Sequence, residues 1–143
     1  MRLQSFYPIV VTEHLTACRD FYRRWFGLEV VFEASWFVLL SAGETGPANL
    51  AFMHPGHPSV PPGPERFNGQ GMCLEFQVED AWAVHERLAR EGAPITLSLF
   101  AVLPFARFVY MMVPGAGGAP RILAGFGDWR GAEGYPTADP DMS

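Results

Sequence analysis

The chain has 143 residues, of which 49% are hydrophobic and 17% charged, a composition that supports one substantial core and a single compact domain. The formal net charge is −5 and the basic residues are scattered, so nucleic acid is not expected as a partner. The first residues do not resemble a secretion signal, and no apolar run is long enough to span a bilayer. We therefore expect a cytoplasmic protein without a membrane partner, whose charge suits a neutral or cationic small molecule.

The first half of the chain predicts a strand, a helix and three further strands. Phe6–Val11 is a short apolar run, and Thr12 follows it at a position where a hydroxyl can cap a helix. Apolar residues then recur at helical spacing up to Gly27, which predicts the helix end; they are Leu15, Cys18, Tyr22 and Trp25. Three runs rich in β-branched or aromatic residues predict strands at Leu28–Phe32, Trp36–Leu40 and Asn49–Met53.

Residues 54–71 contain five prolines and four glycines, a composition that favours a connector over a strand or a helix. The first pattern then returns, with a strand at Met72–Val78, an N-cap at Asp80 and a helix that ends at Gly92. Three more strands are predicted at Ile95–Phe100, Phe108–Val113 and Arg121–Phe126, with a turn at Pro114–Gly118. Cys18 and Cys73 both lie in apolar patterns, where a thiol usually behaves as a small buried hydrophobe.

The two halves therefore share the order strand, helix, strand, strand, strand. We predict one domain, residues 1–126, made of two βαβββ modules at 6–53 and 72–126, followed by a tail at 127–143. A module of this kind leaves one sheet face that it cannot cover alone, so the modules should pair within one chain or between two chains.

Several segments in this order resemble one known family. In the first half they are Pro8–Val11, Phe21-Tyr22 and Phe26-Gly27-Leu28; in the second they are Leu74–Asp80, Glu86–Gly92 and Pro104–Phe108. This arrangement is similar to the glyoxalase/bleomycin resistance protein/dioxygenase (vicinal oxygen chelate) superfamily over residues 6–126. The resemblance implies an α+β fold in which two βαβββ modules form a curved mixed sheet with an open cleft, commonly as a homodimer. Members of the family are either metal enzymes or metal-free proteins that sequester drugs.

The strand starts at which metal enzymes of this family place their ligands carry unsuitable residues here. They are Tyr7, Cys73 and either Arg121 or Ile122, and a phenol, a thiol and a cation or alkyl group do not make a site for a hard divalent metal. His54 and His57 lie in the connector and are expected to be solvated. We therefore expect no cofactor; the alternative is a divalent metal held by Glu75 and a loop histidine.

The resemblance places the ligand against the sheet, and we predict a ligand-binding set made of Tyr7, Ile9, Trp36, Phe52, Cys73, Glu75, Phe105, Arg107 and Tyr110. Aromatic rings stack on planar or cationic ligands and Glu75 would select a basic group, although each aromatic has a core role as its alternative. Arg107 has an ion pair within the fold as its alternative, with Glu75 as the partner.

The leading hypothesis is a metal-free protein of the bleomycin-resistance-like branch that binds a planar or hydrophobic molecule, cations included, without catalysis. Such a protein would act in the manner of an antibiotic-resistance protein. The alternatives are a metal-dependent lyase or dioxygenase of the glyoxalase type, and a metal-free enzyme that uses Glu75 as a general base.

Overall fold

A computed structural model describes residues 1–43, 46–94, 97–103, 106–113 and 122–129, with the backbone alone described for 97–103, 106–113 and 129. The chain divides into two compact units, one made chiefly of Met1–Gly71 and the other chiefly of Met72–Val113 and the last strand. Each unit has the order βαβββ, so the predicted α+β class is confirmed. No helix in the described part of the chain is long and apolar enough to cross a membrane.

The first unit is a four-stranded mixed sheet with one helix. Its elements are β1 (Ile9–Val11), α1 (Leu15–Phe26), β2 (Glu29–Ala34), β3 (Phe37–Ser41) and β4 (Ala48–Met53). The strand order is β1-β4-β3-β2; β1 runs parallel to β4, and the other neighbours are antiparallel. β2 is therefore an edge strand, and its register shifts between Val30 and Phe32.

Helix α1 packs one apolar side against this sheet. Leu15, Cys18 and Tyr22 are buried on it, as their spacing predicts, and the ring of Tyr22 lies 5.5 Å from that of Phe52 on β4. Gly27 ends the helix with a φ of 67°, the left-handed conformation that glycine adopts without a steric penalty. The end of the helix is therefore confirmed.

The predicted start of α1 is wrong by two residues. The N-cap is His14, whose side chain makes no capping hydrogen bond. Thr12 is buried, and its hydroxyl accepts a hydrogen bond from the backbone N–H of His14. Thr12 therefore lies in the turn that connects β1 to α1, two residues before the N-cap, and its hydroxyl stabilises that turn.

The second unit repeats the topology of the first. Its elements are β5 (Cys73–Gln77), α2 (Ala81–Arg90), β6 (Leu97–Leu103), β7 (Ala106–Val113) and β8 (Ile122–Trp129). The strand order is β5-β8-β7-β6, with β5 parallel to β8 and β6 antiparallel to β7. The predicted turn at Pro114–Gly118 lies outside the described residues.

Two carboxylates bind the start of α2. Asp80 is the N-cap and accepts a hydrogen bond from the N–H of Ala83, which confirms the predicted cap. Asp128 is buried and accepts from the N–H of Ala81 at 2.8 Å. β8 therefore continues beyond Phe126, its predicted end, because its last residues hold the helix N-terminus.

Two further local predictions are corrected by the structure. Trp36 was predicted to start a strand, but it lies in the turn between β2 and β3, because β2 continues to Ala34. Cys18 is buried as predicted, whereas Cys73 is exposed. Cys73 has the same parity as Glu75 and Gln77 along β5, and all three are exposed while Leu74 and Phe76 between them are half-buried.

Candidate functional site

The sheet of the first unit has an apolar face on the side opposite α1. Side chains alternate along a strand, and cross-strand partners share a face. Because Phe52 contacts α1, the strand register then shows which residues lie on the opposite face. We call it the helix-free face of the first unit. It consists of two rows across the sheet, Ile9, Ala51, Leu39 and Phe32 in one and Val11, Met53, Phe37 and Ala34 in the other.

All eight side chains of these rows are apolar, and the middle of the face is well packed. Phe37, Ala51 and Met53 are buried together, with Tyr7, Trp36, Leu39 and Val60 against them. The two ends of the first row remain open, since Ile9 is 41% and Phe32 51% exposed. The face therefore offers accessible apolar surface at its two edges.

Residues 54–60 of the connector cover one end of this face. The imidazole of His57 stacks on the indole of Trp36 with the ring centroids 3.7 Å apart and the planes 10° from parallel. Nδ1 of His57 lies 2.7 Å from the hydroxyl of Ser59, which in turn contacts the sulfur of Met53 at 3.7 Å. His57 is thus half-buried and held in place, and the expectation of a solvated loop histidine is wrong.

A groove of about 460 Å³ adjoins the helix-free face of the first unit. It lies between the start of α1 and the connector, and its lining includes Val11 from the face and Val60, which packs against the face. Its other lining residues combine proline rings with polar and charged side chains, Glu13, His14, Glu65 and Arg66 among them. Its volume falls within the range of small-molecule pockets.

The second unit presents a different surface on its own helix-free face. Phe76 stacks on Phe126 at 5.4 Å, and the register places Cys73, Glu75 and Gln77 with Leu123, Gly125 and Gly127 on the opposite side. Burial raises the pKa of the Glu75 carboxyl above its usual range. The pKa of the Cys73 thiol is also raised, first by burial and then by the nearby carboxylate of Glu75.

The predicted ligand-binding residues have different positions in these two units. Ile9 lies on the helix-free face of the first unit, and Tyr7 and Trp36 pack at its border. One face of the Trp36 indole is already covered by His57. Phe52 is only 1% exposed and lies on the helix side, so its assignment to the ligand-binding set is wrong by one residue: Ala51 and Met53 occupy the intended face.

In the second unit, Cys73 and Glu75 share the helix-free face with the exposed side chain of Gln77. Arg107 and Tyr110 lie on β7, where the backbone alone is described. Phe105 lies outside the described residues. The interaction of Arg107 with Glu75 therefore remains a prediction.

The residues at the metal-ligand positions of the family are poor ligands for a divalent cation. Tyr7 is a half-buried phenol packed on apolar side chains, and the pKa of Cys73 is raised, which favours its neutral thiol. At the third position Ile122 is a buried alkyl group, and Arg121, the other residue predicted there, lies outside the described residues. Among the described residues, no three His, Cys, Asp or Glu side chains are grouped closely enough to hold a metal ion. This donor set does not fit the metal that enzymes of the family use.

Comparison with known proteins identifies the family. Residues 5–109 match the sequence model of the Glyoxalase/Bleomycin resistance protein/Dioxygenase superfamily. The chain belongs to this superfamily. No curated protein sequence matches it significantly. Superfamily membership therefore defines the fold and leaves the ligand and the chemistry to the residues of the site.

Solved structures of superfamily type share the fold with this chain at low sequence identity. Lactoylglutathione lyase from Agrobacterium tumefaciens is 20% identical over 89% of this chain and 95% of its own, with a TM-score of 0.62. The bleomycin resistance determinant encoded on the transposon Tn5 is 15% identical over 88% and 98%, with a TM-score of 0.54. TnmS3, an antibiotic binding protein from Streptomyces sp. CB03234, is 14% identical over 90% and 98%, with a TM-score of 0.57.

Proposed function

We propose that this protein binds and sequesters a small planar or hydrophobic organic molecule, cations included, without converting it and without a metal. An antibiotic or a metabolite of that kind is the intended ligand class. The proposal uses the helix-free faces described above as the ligand-contacting surfaces of each unit.

The observation that carries the proposal is the apolar helix-free face of the first unit. Its eight side chains are all apolar, and small-molecule sites are lined mostly by such side chains, with a few polar groups that set orientation. The adjoining groove adds space of about 460 Å³ next to Val11 and Val60. Ile9 and Phe32 remain exposed at the edges, where an apolar ligand would gain most from contact.

The side chains at the family metal positions support binding over metal catalysis. A lyase or dioxygenase of the glyoxalase type would need ligands that a phenol, a neutral thiol and an alkyl group do not provide. The fold is shared with both an enzyme and an antibiotic binding protein, so the argument for a binding function depends on these residues.

A pair of phenylalanine variants tests the proposed surface. Phe32→Ala should weaken binding of acridine, a neutral planar probe, by about fivefold to tenfold, because a ring contact worth about 1 kcal/mol is removed. Phe6→Ala is the control, since Phe6 is also an exposed phenylalanine, at 85%, but lies before β1, outside both rows of the face and outside the groove. Fluorescence titration of both variants gives the comparison, and equal losses in the two would contradict the assignment of the face.

Elemental analysis of the purified protein provides the second test. The proposal predicts less than stoichiometric bound metal and recovery of the probe in unmodified form after incubation. Tightly held stoichiometric metal, or conversion of a ligand that depends on it, would contradict the proposal and favour the metal-dependent lyase or dioxygenase.

A further inference from the structure

One side of the Trp36 indole, at the border of the helix-free face of the first unit, is occupied by a ring from the connector. The imidazole of His57 lies on it with the ring centroids 3.7 Å apart and the planes 10° from parallel. Flat rings of a bound ligand stack on aromatic side chains in a similar parallel manner. The protein therefore holds one of its own rings on a surface that suits a planar aromatic ligand.

Residues 54–60, which we call the strap, hold His57 by hydrogen bonds within the segment itself. The backbone N–H of His57 donates to the carbonyl of His54, and the N–H of Val60 donates to the carbonyl of His57. Nδ1 of the imidazole accepts from the backbone N–H of Ser59 at 3.2 Å and lies 2.7 Å from the Ser59 hydroxyl. These bonds stay intact when the strap moves as a unit.

The strap is attached to the sheet chiefly at its start, where the N–H of His54 donates to the carbonyl of Trp36 at 2.8 Å. Beyond this point the described contacts are the ring stack, the packing of Val60 and a weak contact of the Ser59 hydroxyl with the sulfur of Met53 at 3.7 Å. The outer residues of the strap are exposed; they are Pro55, Gly56, Pro58 and Ser59. The imidazole is therefore free to leave the indole without the loss of a hydrogen bond between strands.

Imidazole is a weak occupant of this surface. A single small ring covers only part of a fused indole, and dispersion attraction grows with the number of atoms in contact. The nitrogens of a displaced imidazole regain hydrogen bonds with water. A larger flat ring system also lies close to apolar side chains, since Trp36 packs on the same buried cluster as Tyr7 and Leu39. An exchange of the imidazole for such a ring is therefore favourable.

We infer that His57 is a built-in competitor for the ligand, and that a planar aromatic molecule binds by taking the place of the imidazole on Trp36 while the strap moves away. This inference rests on the proposed binding function and specifies the shape and the position of its ligand. The energy needed to break the stack lowers the affinity for every ligand that uses this side of the indole.

Two substitutions at His57 should separate a competing ring from a supporting one. His57→Ala removes the competitor and should tighten the binding of acridine about threefold to tenfold, because a ring stack no longer has to be broken. His57→Phe keeps a ring on the indole, so its affinity should stay at or below that of the wild type. A supporting role would give the reverse order, with weaker binding in His57→Ala and recovery in His57→Phe.

His54→Ala is the control within the strap, because the ring of His54 bonds to the backbone N–H of Gly56 at 3.0 Å instead. Fluorescence titration of all three variants gives the comparison, and His54→Ala should bind acridine like the wild type. Equal tightening by His54→Ala and His57→Ala would assign the effect to a loosened strap and contradict competition by the ring.

The ring protons of His57 report the displacement directly by NMR. In the free protein the indole should shift the resonances of the stacked imidazole upfield, and the His57→Ala spectrum identifies these signals by their loss. Saturating acridine should move them downfield to the position of a solvated histidine. An unchanged position would place the ligand elsewhere, and a further upfield shift would mean that acridine stacks on the outer side of His57; either result would contradict the inference.

The outcomes separate this inference from the proposed function. Acridine binding that depends on Phe32 but is unchanged or weakened in His57→Ala would overturn the inference and leave the proposed function supported. Failure of acridine to bind both the wild-type protein and His57→Ala would overturn both.

Discussion

Corresponding strand positions in the two units carry side chains of opposite polarity. In the first unit β1 pairs Ile9 with Ala51, and in the second β5 pairs Glu75 with Gly125. The positions correspond, because Ile9 precedes the start of α1 by as many residues as Glu75 precedes the start of α2. The topology is repeated, but the first strand pair carries apolar side chains on this face in the first unit, whereas the second unit places the exposed side chains of Cys73, Glu75 and Gln77 beside Leu123 and two buried glycines. The corresponding strand positions therefore differ in polarity although the topology is the same.

Removal of Met53 should produce the largest change in stability. Met53 is buried on the helix-free face of the first unit, while Gly127 stands at the corresponding place in the second unit. Met53→Ala should lower the free energy of unfolding by about 2–5 kcal/mol, because a packed side chain is lost and a cavity remains. Urea denaturation measures the change. A loss below about 1 kcal/mol would contradict the tight packing of Met53 on the face of the first unit.

Exchange of the corresponding residues should give a smaller, asymmetric change. Ile9→Glu places a charge in an apolar row and should lower the free energy of unfolding by about 1–2 kcal/mol. Glu75→Ile removes a partly buried charge and should leave stability unchanged or raise it. Thermal denaturation of both variants measures this asymmetry, and equal losses would show that the two faces do not differ in the way described.

The pH dependence of stability should give the smallest effect. The folded protein holds the proton of Glu75 more tightly than the unfolded chain does, because burial raises the pKa of the carboxyl. This group therefore favours folding below its usual pKa, and that contribution is lost as the pH rises through the raised pKa of the folded state. Glu75→Gln should match the wild type in acid and become more stable than it above that range.

The size of this gain is limited to less than about 1 kcal/mol, since the side chain keeps contact with water. Urea denaturation across the acid range gives the difference at each pH. A variant that loses stability relative to the wild type as the pH rises would indicate that a cation within the fold already neutralises Glu75; Arg107 on β7 would then be the candidate.

Local patterns in the sequence predicted the order of elements because their signals are local. The spacing of Leu15, Cys18 and Tyr22 and the glycine after Phe26 define α1 without any distant contact. The cap at Asp80 is equally local. The repeat of this order in the two halves was therefore visible from the residues alone.

The site was harder to predict because it depends on register and on distant contacts. The last four residues of β4 are all apolar, so alternation gave no signal that Ala51 and Met53, and not Phe52, lie opposite the helix. The stacking of His57 on Trp36 joins the connector to a turn, and no spacing rule predicts such a contact. The exposure of Cys73, by contrast, could have been predicted from the sequence. Glu75 and Gln77 have the same parity along β5, and their polarity indicates that this side of the strand is exposed.

Isothermal titration with acridine before and after removal of metal by a chelator tests whether the protein binds its ligand without a metal. We expect saturable binding with one affinity in both samples, and recovery of acridine unchanged from each. Binding that disappears after chelation and returns when a divalent metal is added would contradict it.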